Sequence, residues 1–312
     1  MNPKVLAEVS QDRLRRDLFH LCRDPFSFRT VLYTRPWQSK NSLDETDEFI
    51  AAEMRRYSSL VEMVPNRVQA FRCNSAKPLH HWYDKPQPED PWYDAHNIEV
   101  TLPGSGSSGE IIQLISHKDS MSWINSPGAH DNAVGTVANL ELVRLLSALP
   151  RQRTVRVLFC NEEHTPWHSA SAANAARERG DNIIAVLNQD SLDGKSDADF
   201  AAKRKTHYAI YSTPEGQALA ELLPRTAQRY QLPLEVFCAP KKCINDDDGS
   251  FIKAGYQRTI MNLGSYPYSD EQYHLPGDIP ERVDLDNLRL STQLLLAAVL
   301  DLDERGESIF SA

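Results

Sequence analysis

Five side chains of metal-ligand type constrain this chain most. His117 in IIQLISHKDS, Glu163 in VRVLFCNEEH, Asp190 in IIAVLNQDS and His274 in EQYHLPGD each follow a segment that reads as a strand, and Asp131 in PGAHDNAVG lies among them. Open α/β sheets bind ligands in the crevice beyond the carboxyl ends of their strands, so this placement predicts one crevice that receives them all. Asp131 opens the pattern DNAVGTVANLELVRLLSAL, in which Val134, Val137, Leu140 and Leu145 fall near helical spacing, so its carboxylate projects from a helix start toward the same crevice. Two histidines and three carboxylates are borderline to hard ligands that suit zinc, and one carboxylate among them can bridge two ions.

Glu162 precedes Glu163. Adjacent side chains of a strand leave on opposite faces, so one of the pair serves as ligand. Where the strand ends and the backbone turns, the other can face the crevice. A carboxylate there can take a proton from water and pass it to a leaving amine.

These segments resemble the motifs of the aminopeptidase Y-type family of di-zinc exopeptidases, the group that includes bacterial leucyl aminopeptidases and glutamate carboxypeptidase II-like zinc peptidases. The motifs that carry the resemblance are His117-Lys118-Asp119-Ser120, Pro127-Gly128-Ala129-His130-Asp131-Asn132 with Gly135, Glu162-Glu163, Asn188-Gln189-Asp190, and Tyr273-His274 with Asp278. Their combination, in order across roughly residues 98 to 300, is far more specific than any single motif. The resemblance implies that Asp131 bridges two zinc ions. Glu163 with one histidine, and Asp190 with the other, would complete the two sites, with Glu162 as general base. Asp119 would be the carboxylate that orients His117. The resemblance also implies a cis peptide between Asp131 and Asn132.

The chain departs from the family pattern after the paired glutamates. Where Glu-Glu-x-Gly-Leu-x-Gly-Ser is usual, it reads Glu162-Glu163-His164-Thr165-Pro166-Trp167-His168-Ser169. Trp167 and His168 are therefore expected to wall the substrate pocket, and His164 to lie in a turn or in the pocket lining, since Pro166 argues against a regular helix there. The family's Ser-Asp-His becomes Asp246-Asp247-Asp248 before Phe251, and Asp247 is a further candidate for substrate contact. This acidic run lacks the alternating spacing and distal glutamate of a calcium loop and reads as a turn and helix cap. His80-His81-Trp82-Tyr83 and Pro91-Trp92-Tyr93 could cover an apolar substrate side chain or simply pack on the sheet.

The remaining sequence fits an enzyme. Its 312 residues suffice for a large core. A net charge of −9 with no basic block disfavours nucleic acid and anionic membrane as partners. No apolar run reaches membrane-span length and the N-terminus is charged rather than signal-like, so a cytoplasmic place is the default. Five cysteines form no zinc-ribbon pattern, and Cys238 and Cys243 could pair in an oxidising compartment.

Helix-spaced apolar positions in 10–22 and 43–62 predict helices, so residues 1–75 read as an N-terminal helical portion packed on the sheet. The stretch 75–96, rich in proline and aromatics, reads as a loop. Beyond 180, predicted strands at 182–189, 207–212, 234–238 and 258–263 alternate with helices at 214–230, 249–255 and 284–303. The pattern predicts a three-layer α/β/α sandwich with a mostly parallel mixed sheet. Related di-zinc carboxypeptidases carry a lid domain between the last two ligands, which would need about 100 more residues than that interval offers, so residues 1–312 read as a single zinc-peptidase domain.

The expected activity is a zinc-dependent aminopeptidase acting on peptide or aminoacyl substrates, with two zinc ions. The alternatives are a glutaminyl-cyclase-like acyltransferase with one zinc, in which Glu162, Asp190 and Asp247 handle protons, and a non-catalytic binding module on the same fold. Oligomeric state is left open.

Overall fold

A computed structural model describes residues 3–23, 26–106 and 108–310. The chain opens with α1 (Gln11–Cys22) and α2 (Ser42–Met54), capped by Ser10 and Asn41, whose side chains accept from the amides of Arg13 and Asp44. The second helix is shorter than its spacing predicts. Arg56 and Tyr57 donate to the carbonyls three residues back, which tightens and ends the last turn, and a strand starts at Val61. The first 75 residues are thus helical only in part.

Strands β1 (Val61–Ala70), β2 (Arg72–Cys73), β3 (Tyr83–Asp84), β4 (Tyr93–Leu102) and β5 (Glu110–His117) follow. The predicted 75–96 loop therefore holds a short hairpin strand and yields to β4 at Tyr93. Next come α3 (Val134–Ser147), β6 (Thr154–Cys160), β7 (His164–Thr165), α4 (His168–Arg179) and β8 (Asn182–Gln189). The C-terminal third contains α5 (Asp197–Ala201), β9 (Thr206–Tyr211), α6 (Pro214–Ala220), α7 (Leu222–Arg229), β10 (Glu235–Pro240), α8 (Asp246–Lys253), β11 (Thr259–Leu263) and α9 (Leu285–Arg305). The one helix expected over 214–230 is two, because Pro224 cannot donate to the carbonyl of Ala220, the residue at which α6 stops.

Nine strands form one mixed sheet in the order β10-β9-β11-β8-β5-β6-β4-β1-β7. Its centre, β11-β8-β5-β6, is parallel, and the neighbours β9 and β4 run antiparallel to it. Alternate residues of the central strands point to opposite faces. Ile112, Leu114, Val155, Val157, Phe159 and Leu187 join the large core under α1, α3, α7 and α9. Ile115, Leu158, Cys160 and Val186 pack with Ala172 and Ala173 of α4 and Phe251 of α8 on the other side. The parallel strands β5, β6 and β8 end together, and the crevice there receives the candidate site.

Candidate metal centre

His117, the last residue of β5, is buried. Its Nδ1 lies 3.2 Å from the Asp119 carbonyl and 3.3 Å from Asp119 Oδ1, which leaves Nε2 facing Asp131 Oδ1 at 3.1 Å and Asp190 Oδ1 at 3.5 Å. Asp119 does more than hold a ring. Its oxygens accept from the backbone amides of Glu162 and Glu163, at 3.0 and 2.9 Å, and one lies 2.8 Å from His164 Nδ1. Burial pushes the Asp119 pKa up, but His117 and His164 outweigh it and hold this carboxyl well below the ordinary range.

Asp131 sits in an irregular turn before α3, and the peptide joining it to Asn132 is cis. Asp278 accepts from the amides of His130 (2.8 Å) and Asp131 (3.1 Å). Asn132 ties the turn to the end of β8: its amide group donates to the Gln189 carbonyl, and its Oδ1 accepts from Gly135 and Ser191. Two glycines of this motif are required by space. Gly128 has φ +56, and a Cβ there would stand 2.4 Å from the Asp131 carbonyl; one on Gly135 would stand 2.3 Å from that of Gln189. Arg29, fully buried, clamps the same turn from the other side, donating to the carbonyls of Pro127, Gly128, Lys118 and Leu21.

His274 Nδ1 is 3.0 Å from the His80 carbonyl, to which it can donate, so its Nε2 faces inward, 3.0 Å from Asp131 Oδ2 and 3.3 Å from Glu163 Oε1. Tyr273 stacks on the ring at 3.7 Å and Tyr83 meets it edge-on at 5.7 Å. The two oxygens of Asp131 thus each face a different histidine. His117 stands with Asp190, and His274 with Glu163.

The cluster carries more buried negative charge than its protein partners answer. Burial raises the pKa of Glu163 and Asp190, and burial together with Asp247 raises that of Glu162 well above the ordinary value. Burial opposes a charge on His274, yet Glu163 and Asp131 bring its pKa to about 10. Asp131 Oδ2, Glu162 Oε2 and His274 Nε2 have no aligned hydrogen-bond partner among the described residues. Ligand atoms of His117, Asp131 and Glu163 lie within 4.8 Å of one another, as do those of His117, Glu162 and Asp190. This donor set, buried and unsatisfied, fits a divalent cation with nitrogen and oxygen ligands.

The site opens into a cavity of about 630 Å³. All of the five except His274 line it, together with Glu162, Asp246, Lys241, Ile210, Met261 and Tyr268. Trp167, His168 and Asp247, expected to contact substrate, lie elsewhere. Trp167 lines a separate cavity of about 1010 Å³. His168 turns into the interior, its ring nitrogens near Asn161 Nδ2 and the Arg67 carbonyl, because α4 starts there and its first turn packs on β4. Asp247 is buried behind the cavity wall, accepting from Cys160 Sγ at 3.0 Å, while Asp246 is the member of the acidic run that faces the cavity. His164 is also internal, reaching Thr30 and Val31 with Nε2. Arg29 and the His80 carbonyl carry no motif; Asp278 lies inside one, but its service to two amides depends on a fold not visible in spacing.

A mixed α/β/α sheet with a buried histidine and carboxylate cluster at its parallel strand ends has the layout of a metal-dependent hydrolase. The model of peptidase family M28 matches residues 97–299, and the chain belongs to that family. A protein of Saccharomyces cerevisiae named as a probable aminopeptidase is 24% identical over 289 residues, covering 88% of this chain and 70% of its own length. Leucine aminopeptidase 1 of Leptosphaeria maculans is 25% identical over 227 residues, 68% of this chain and 56% of that relative, so the chain spans little more than half of it. Among solved structures, the LapA aminopeptidase of Legionella pneumophila superposes with a TM-score of 0.73 at 14% identity, covering 96% of this chain and 74% of LapA. A glutaminyl cyclase of Bacteroides thetaiotaomicron superposes at 0.69 and 14% identity, covering 93% of this chain and 97% of its own. No helix among the described residues is long and apolar enough to cross a membrane.

Proposed function

We propose that this member of family M28 is a zinc aminopeptidase that removes N-terminal residues from peptides, as a single domain. Two zinc ions would be held, one by His117 and Asp190 and the other by Glu163 and His274, with Asp131 shared. The observation that most supports this reading is that Asp131 presents one oxygen to each histidine, at 3.1 and 3.0 Å. When bound, zinc supplies Lewis acidity that polarises a carbonyl and acidifies water. The chain's own residues do the rest. Glu162, buried and with a raised pKa, accepts a proton from water and hands it to the departing amine. Asp119 holds the amides of Glu162 and Glu163 and orients His117. Ile210, Met261, Leu263 and Tyr268 form an apolar wall for the substrate's first side chain. All five cysteines are free, which favours a cytoplasmic place.

One observation favours a second reading. Asp247 lies close enough to Glu162 to help raise its pKa, a buried carboxyl pair suited to shuttling protons in amide cyclisation. Metal content per chain, measured with a panel of aminoacyl amides and an N-terminal glutamine peptide, separates the two. Two metals with amine release support the aminopeptidase; one metal with pyroglutamate formation supports the cyclase and sinks the first reading.

A further inference from the structure

The cavity lined by Trp167 differs in charge from the one that holds the metal-ligand cluster. In a chain of net charge −9, its lining includes three lysines, Lys77, Lys85 and Lys253, against one carboxylate, Asp84. Lys77 is spoken for, paired with Asp84 and donating to the Tyr83 carbonyl at 2.7 Å. The ammonium groups of Lys85 and Lys253 have no partner among the described residues. Phe71, Tyr83 and Trp167 supply flat apolar walls beside them.

Three elements join this cavity to the acidic one. Tyr83 lines it while its ring stands 5.7 Å from that of His274. Thr165 lines it two residues beyond Glu163, in β7. Along α8, Asp246 faces the acidic cavity, and Ser250 and Lys253, four and seven residues on and hence on the same helix face, line the other. Seven residues of helix advance about 10 Å, and an extended peptide covers that distance in about three residues at ~3.3 to 3.6 Å each.

We propose that this cavity receives the part of a peptide downstream of the scissile bond, and that Lys85 and Lys253 select peptides bearing a carboxylate at the third residue. The inference rests on the aminopeptidase reading above. A substrate's amino terminus, cationic, is drawn to the carboxylate-rich cavity. A carboxylate a few residues on is drawn to Lys85 and Lys253, so the two cavities fix the direction in which a short peptide lies. The carboxylate has two sources, an acidic side chain or the free C-terminus of a tripeptide.

The test compares kcat/KM for Leu-Ala-Ala-NH2, Leu-Ala-Ala, Leu-Ala-Gln-NH2 and Leu-Ala-Glu-NH2, in the unmodified protein and in Lys85→Ala/Lys253→Ala and Lys85→Glu/Lys253→Glu. The expected result is a preference of roughly three- to tenfold for one or both carboxylate substrates over their amide counterparts, as for partly exposed ion pairs. It should vanish in the alanine pair, reverse in the glutamate pair and shrink with added salt. The free C-terminus is the source if Leu-Ala-Ala alone is favoured, and the side chain if Leu-Ala-Glu-NH2 alone is. Equal rates for all four peptides overturn the proposal while leaving the aminopeptidase intact. A binding measurement keeps the two readings apart: titration of Trp167 fluorescence with Ala-Glu and Ala-Gln, with Trp167→Phe as blank. Selective Ala-Glu binding that the glutamate pair abolishes upholds the lysine site even if no peptide is cut. Indifference to the carboxylate overturns it.

Discussion

The stretch from Glu162 to Ser169 contains two regions built on opposite plans. Glu162 and Glu163 face the cavity while their amides rest on Asp119, so they are fixed from behind and open in front. His164 and His168 turn their rings inward, one to Asp119 and Thr30, the other to Asn161 and Arg67. Large residues next to a site in sequence therefore need not fill it. Here His164 and His168 are internal struts, and Trp167 borders a different cavity.

The largest effects should come from the cavity-facing half. Glu162→Gln should retain metal and lose activity by roughly 10²-fold or more, the scale of general-base catalysis. Glu163→Gln should lose metal by elemental analysis. Activity and metal retained in both would end the assignment of roles. Next, Asp131→Asn should disturb both metal positions, whereas Asp190→Asn should weaken one. If both variants lose the same single metal, a one-zinc site is the better description.

The inward half should answer in stability first. His164→Ala removes a buried partner of Asp119 and should cost about 1 to 3 kcal/mol in denaturant unfolding. A neutral outcome would place His164 in the cavity lining instead. Trp167→Gly should leave the preference for the first residue unchanged and alter that for residues after it. A broadened first-residue profile would place Trp167 in the acidic cavity instead.

The smallest effect is one of pH. Burial brings the His168 pKa down to about 4 from an ordinary 6.5, so the unfolded chain takes up this proton more readily. The stability that neutral His168 contributes is complete above pH 6.5 and is lost as pH falls toward 4. His168→Gln should flatten that part of the stability profile. An unchanged profile would mean an exposed ring.

The fold and the side chains that gather at the strand ends were legible because they follow from periodicity and position. Ile112, Leu114 and Ile115 mark a strand buried on both faces, and a histidine at its end has few places to point but the crevice. Asn132 and Gly135 are legible for a similar reason, since each is fixed by a close backbone approach. The direction of Trp167, His168 and Asp247 was not, because it depends on where α4 and α8 begin, and a helix start displaced by one residue turns a side chain by about 100°. Arg29 left no trace either: a lone arginine in irregular chain gives no period, and its partners are carbonyls.

That arginine and Asp47 carry a consequence for how the centre can fail. Arg29 holds the Pro127–Gly128 turn, and Asp47 pairs with the buried Lys118 at 2.9 Å, next to His117. The segment between them is exposed at Trp37, 74% accessible, while the family match begins only at residue 97. A protease nick there would leave every candidate ligand covalently untouched yet free the two braces to drift apart. Loss of metal after such a cut would reveal an affinity that depends on a distant strap as well as on the candidate ligands themselves.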